Sequence, residues 1–389
     1  MLWEILSRLP VKSLVRFMCV SKYFQSLISD PLFVTMHLQN SPKSTNFLLR
    51  NLHEDKYCCF VVPSPVTSLF ENSKPLFTVD IAHGSKDQVL GSHNGLVCLA
   101  KWNEKGPMFH LWNPATQGVF GNLILPEVKE LEMLGFGYDK SSHIYKVVAI
   151  VVHRNSKDYP LQTLIGNLND ESGWREIQDF PADSTIVVGD GICLNNTINW
   201  LGIPNYKDCY DEVDGYDDDE DENVISFDEV VIASLDLETE TYTQMLLPRE
   251  LNGVFVRDFY SLGEVLHCNE APLIGVLGGC LSLYLHNRDT KYLSIWQMKE
   301  FGNRRSWTLL LNISLQDLGV NLYSLLLPIC IIENDRNIVI IHSSFQDCIK
   351  QTIIYNTKDK TVTSRNMTEN LLWIYPFHYV ESLVSLLHR

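Results

Sequence analysis

Over the first forty residues, apolar side chains recur at three- and four-residue steps, the period of an amphipathic helix. Glu4 to Leu9 reads as a helical turn ended by Pro10, which has no N–H to donate. Leu14, Phe17, Met18 and Cys19 recur at the steps a second amphipathic helix requires. Ser21 is placed to cap a third, with Phe24, Leu27 and Ile28 inward. Asp30-Pro31 opens a fourth through Leu38, a cap followed by proline at the first helical position. So small a helical unit buries too little surface to stand alone and needs a partner or the domain that follows.

From about Asn46 the helical period disappears. Short runs rich in Val, Ile, Leu and aromatics alternate with Gly, Asn, Asp and Ser turns: Gly95–Ala100, Tyr145–Val152, Gly191–Gly202, Val230–Leu235, Ile338–His342 and Gln351–Asn356. This is an all-β pattern. A turn phrase recurs within it: an apolar strand, Asn or Asp, two residues, a Thr, Ser or acid, and soon a large apolar residue. It stands at Asn113–Val119, Asn169–Trp174, Asp236–Tyr242 and Asn356–Val362, with starts 56, 67 and 120 residues apart. A degenerate copy at Leu293–Trp296 to Ser306–Trp307 halves the last step, and Asn51–Tyr57 is a weak copy upstream. Asn or Asp accepts backbone hydrogen bonds at the first turn position, and the apolar residue starts the returning strand. Hairpins repeated about every 60 residues predict a kelch-like β-propeller of about six blades; a β-sandwich-like domain is the alternative.

Composition narrows the function. The chain has 389 residues, 45% of them hydrophobic, and a net charge of −16, which argues against general binding to nucleic acid or anionic membranes. Ten of the acids lie within 208–222, a run without bases that reads as a solvated loop rather than a calcium site. Ten dispersed cysteines form no CxxC pair and no zinc spacing, and no secretory signal or membrane-length apolar run is visible. Reduced core thiols of a cytoplasmic or nuclear protein are expected.

No catalytic constellation stands out. GxSxG, HExxH and the P-loop pattern are missing from the sequence, and no helix pattern or Lys follows the glycine-rich Gly275–Gly279, which reads as a tight turn or bulge. His37, His110, His267 and His378 sit in apolar surroundings and read as hydrogen-bonded structural residues. No catalytic, cofactor-binding or metal-binding residue is expected, and the chain is expected not to be an enzyme. A propeller enzyme or lectin has only the aromatics Trp102, Trp296 and Trp373 in its favour.

The run Ile5 to Lys22, followed by Leu27 to Phe33, resembles the F-box of plant F-box proteins. The remainder is similar to the F-box-associated domain of the F-box/kelch-repeat and S-locus F-box-like branch. Its phrases stand at Ser92–Cys98, Leu111–Thr116, Gly135–Asp139 with Tyr145–Val148, Trp174–Ile177, Asn196–Trp200 and Tyr379–Leu383. The resemblance implies an F-box over residues 1–40 and the β domain over 41–389. It also implies a role: the substrate-recognition subunit of an SCF-type ubiquitin ligase. The F-box would bind a Skp1-type adaptor, and through it a cullin, through Ile5, Leu6, Leu9, Pro10, Val11, Leu14, Phe17 and Val20. The β domain would hold a target protein through residues that remain unknown.

Two departures carry the alternative, a degenerate or adaptor-independent interaction scaffold. The family's leading Leu-Pro and acidic segment is absent before Met1-Leu2-Trp3, and Tyr23 stands where the family usually has Trp. The acidic run 208–222 would lend one face a negative potential that steers a basic target, against the blander reading of a solubilising loop.

Overall fold

The computed structural model describes residues 2–40, 46–53, 56–58, 60–61, 64–65, 79–80, 87–104, 106–128, 130–152, 161–168, 173–182, 190–203, 224–257, 272–287, 290–321, 324–332, 336–344, 350–366 and 374–385. Four helices come first: α1 (Leu2–Leu6), α2 (Val11–Met18), α3 (Lys22–Ile28) and α4 (Pro31–Asn40). The expected caps form. Ser21 Oγ accepts from the Phe24 N–H at 3.3 Å, and Asp30 Oδ1 accepts from the Leu32 N–H at 2.8 Å, one residue after Pro31 opens α4.

Among the described residues, five four-stranded antiparallel meanders follow. Blade 1 comprises Asp87–His93, Leu96–Asn103, Gly106–Asn113 and Gly118–Ile124. Blade 2 comprises Glu130–Asp139, Ile144–Val152, Leu161–Asn167 and Trp174–Glu176. Blade 3 comprises Ile192–Leu194, Thr197–Gly202, Val231–Asp236 and Tyr242–Leu246. Blade 4 comprises Leu273–Leu277, Cys280–Asn287, Tyr292–Met298 and Trp307–Ser314. Blade 5 comprises Ser324–Ile332, Asn337–Ser344, Lys350–Asn356 and Val362–Asn366.

The count of about six blades is therefore corrected to five. The weak copy Asn51–Tyr57 is a real hairpin between Asn46–His53 and Lys56–Cys58. Its sheet is no meander, because Asn46–His53 also pairs antiparallel with Ile374–Tyr379, joining the two ends of the chain. The turn phrase reports a hairpin; it does not report how many strands that hairpin gathers. Gly191–Gly202, expected as one strand, is itself a hairpin turning at Asn195 and Asn196, both with positive φ. The glycine pair 278–279 is the predicted tight turn, with φ of +59° and +76° between Leu277 and Cys280.

The long apolar runs are explained by the joints between blades. A strand sends alternate side chains to opposite faces. Along Ile144–Val152, Val147, Ala149 and Val151 enter a core shared with blade 1, while Val148, Ile150 and Val152 enter one shared with blade 3. Further cores join blade 3 to 4 and blade 4 to 5. Tyr379, from the closing sheet, packs on Val89, Val97, Leu99 and Trp112 of blade 1.

Polar joints reinforce the apolar ones. Lys146 of blade 2 is buried and donates through Nζ to Asp139 at 2.9 Å, to Glu240 of blade 3 at 3.0 Å and to the Leu237 carbonyl; Arg175 adds an ion pair to Glu240. Burial alone would raise the Asp139 carboxyl, but hydrogen bonds from Ser142, Lys146 and Ser141 outweigh it and hold the group well below the usual carboxylate range. Trp200 Nε1 donates to the Leu134 carbonyl at 3.2 Å. Its indole lies so close to Gly135 and Gly191 that a Cβ at either would approach within 2.6 Å.

Candidate functional site

The helical module closes a small core of Leu6, Val11, Leu14, Leu27, Ile28 and Phe33. Trp3 packs edge-on against Phe33 with centroids 5.7 Å apart. His37 is fully buried, and its Nε2 donates to the Leu9 carbonyl at 2.9 Å, tying α4 to the corner where Pro10 ends the first turn. Desolvation lowers the His37 pKa, against the backbone hydrogen bond and Glu381, which raise it. Asn40 donates to Ser7 Oγ at 3.3 Å across the same corner.

The eight adaptor-facing residues expected from the motif divide here. Leu6, Val11 and Leu14 lie inside the module's own core, which accounts for their helical period without any partner. Leu9 and Phe17 are half-buried, and Pro10 is exposed. Ile5 is 57% exposed and Val20 71% exposed. Three residues not singled out by that pattern join them on the surface: Leu2, Tyr23 (64%) and Leu32 (73%). Phe17 stacks on Phe24 at 5.8 Å, and Phe24 meets Tyr23 at 5.9 Å, so an aromatic ridge continues from α2 into α3.

The module rests on blade 1. Leu383, from the segment after the last strand, enters the helical core, and Ala115 packs against it. Ala115 belongs to the Asn113–Gly118 turn, in which Asn113 Oδ1 accepts from the N–H groups of Ala115 and Thr116. The strand Gly106–Asn113 spans roughly 25 Å. Its far end, the Asn103–Gly106 turn, therefore faces away from the helices. The fourth strand of blade 1, Gly118–Ile124, ends on this same side, since Ile124 pairs with Met108.

The residues named for a catalytic or lectin site are not brought together among the described residues. Among the described residues no group of three or more His, Cys, Asp or Glu side chains is placed to hold a metal ion. Trp102 is exposed, Trp296 is buried in the joint of blades 3 and 4, and Trp373 lies outside the described residues. So do His267 and the acidic run 208–222. Burial pushes the Cys193 thiol up to about 11 and the Cys330 thiol to about 12, which leaves both unreactive near neutral pH. No helix among the described residues is long and apolar enough to cross a membrane.

The sequence matches the profile of the F-box associated beta propeller domain over residues 75–386 and that of the F-box domain over residues 1–35. The chain belongs to the F-box associated beta propeller family. Relatives include the F-box/kelch-repeat protein At3g23880 of Arabidopsis thaliana, 29% identical over 340 residues, covering 80% of this chain and 78% of that protein. F-box protein CPR1 of Arabidopsis thaliana is 26% identical over 329 residues, covering 78% of this chain and 70% of that one.

Proposed function

We propose that this F-box protein is the substrate-recognition subunit of an SCF-type ubiquitin ligase, a non-catalytic adaptor in which the helical module binds a Skp1-type protein and the propeller holds the target. The observation that carries the reading is the surface of the module. Its core closes on Leu6, Val11 and Leu14, yet Ile5, Val20, Tyr23 and Leu32 stay more than half exposed on a unit of forty residues. So much exposed apolar surface on a small module is what an obligate partner covers. The adaptor contact then comprises Ile5, Leu9, Pro10, Phe17 and Val20, with Tyr23 and Leu32 beside them. Leu6, Val11 and Leu14 support it from beneath. The propeller turns that face away from the helices are the natural place for a target, since recognition resides on loops held by a rigid scaffold.

Capture of a purified Skp1-type adaptor tests this. The native chain should bind, Ile5→Asp/Val20→Asp should lose binding with helix content unchanged, and Leu14→Asp should lose both. No capture by the native chain overturns the adaptor reading in favour of an adaptor-independent scaffold.

A further inference from the structure

The turn phrase does the same local work at Asp236 and at Asn356. Asp236 Oδ1 accepts from the N–H groups of Glu238 and Thr239, and Asn356 Oδ1 accepts from those of Lys358 and Asp359. For that task a carboxylate and an amide are equivalent, since only an acceptor oxygen is needed. Asn113 makes the same turn but is fully buried, and its amide does something a carboxylate cannot. Nδ2 donates to the carbonyls of Ser382 and Val384, each at 3.0 Å, across some 270 residues of chain.

The segment it holds is pinned from a second side. Ser382 Oγ donates to the Asn94 carbonyl at 2.6 Å and accepts from the Val384 N–H at 3.2 Å. Gly95, at φ +77°, leaves the space: a Cβ there would lie 2.3 Å from Ser382 Oγ and 2.6 Å from the Val380 carbonyl. Between the two gripped residues, Leu383 inserts into the helical core with Leu6, Val11, Leu14 and Phe33. Three phrases far apart in sequence, Ser92–Cys98, Leu111–Thr116 and Tyr379–Leu383, thus meet at one point between propeller and helices.

We propose that the Asn113 amide is a latch: it docks residues 380–385 on blade 1 and, through Leu383, seats the helical module at a fixed orientation on the propeller. The latch sets the direction in which Ile5, Val20, Tyr23 and Leu32 point relative to the far turns of the blades. Residues 46–51, which follow the helices, pair with 374–379, which precede the latched segment, so the chain leaving the module and the strap that packs on it are held side by side.

Amide hydrogen exchange on the full chain tests the latch without any adaptor, so its failure is independent of the ligase reading. Asn113→Asp keeps the turn acceptor, removes the donor and places a carboxylate against two carbonyls. Exchange should rise at least tenfold across residues 2–40 and 379–385, with blades 3 to 5 unchanged. Leu383→Ala, which loosens the same joint from the helical side, should give the same map and decides the matter if the Asp variant does not fold. Asp236→Asn, the reverse exchange in an equivalent turn, should leave the helices protected. Unchanged helices in Leu383→Ala, or a rise spread evenly over all blades, would overturn the proposal.

Discussion

Replacing Lys146 by methionine removes one cation from the joint of blades 2 and 3 while keeping its length. Three interactions go at once: those to Asp139, to Glu240 and to the Leu237 carbonyl. The side chains of Lys146 and Asp139 are 6% and 3% exposed, so water does not replace the lost partner. Removing one member of a buried pair costs about 3–5 kcal/mol, because the other charge stays buried and uncompensated. Here the lower end applies. Asp139 keeps Ser141 and Ser142 as donors, and Glu240 keeps Arg175. We therefore expect a loss of about 3 kcal/mol. Adding Asp139→Asn to Lys146→Met removes the stranded charge while Ser142 can still bond the amide. It should recover more than about 1 kcal/mol, a coupling typical of contacting residues. Urea denaturation at pH 7, followed by tryptophan fluorescence, reads both, provided the slope is unchanged. A single-variant loss below about 1 kcal/mol, or strict additivity of the two substitutions, would refute the argument that this cation neutralises a dry joint.

The other predictions concern acid and backbone. Burial, with a smaller push from Lys140, lowers His93 to about 4, so the folded protein resists its protonation while the unfolded chain accepts it near 6.5. Stability should therefore be full above about pH 6.5 and fall as pH drops toward 4, by roughly 3 kcal/mol for that shift at about 1.4 kcal/mol per unit. His93→Gln should flatten the profile in that window; an equally steep fall in the variant would assign the loss to other groups. The depressed Asp139 acts in the same sense but in a lower window, contributing above the ordinary carboxylate pKa and failing as pH falls through its lower folded value. Its loss should therefore appear only below about pH 4, and Lys146→Met should reduce that acid limb. Gly95→Ala combines a left-handed backbone with a clash against Ser382 and Val380, and should cost about 2 kcal/mol or more by thermal unfolding. Its exchange map should match that of Asn113→Asp; a neutral Gly95→Ala would mean the strap can shift without loss.

Much of this molecule is legible in its residues because the forces involved are local. The helical period of residues 1–40, the caps at Ser21 and Asp30, and the hairpins at Asn113, Asp236 and Asn356 each depend on neighbours within four positions. Continuous apolar runs such as Val147–Val152 mark strands, and the structure buries this one on both faces. What residue order could not state is which partner each face meets. Alternation assigns Val147 and Val148 to opposite sides, but only closure of the ring makes one side blade 1 and the other blade 3. Blade number depends on how many strands gather on each hairpin, and there the estimate from turn spacing exceeded the five that form. At the candidate site the same limit appears. Leu6, Val11 and Leu14 carry the helical period as strongly as Ile5 and Val20, and only packing separates support from surface. The joint of Asn94, Asn113 and Ser382 spans nearly three hundred residues, and its hydrogen bonds exist only once five blades have brought the ends of the chain together.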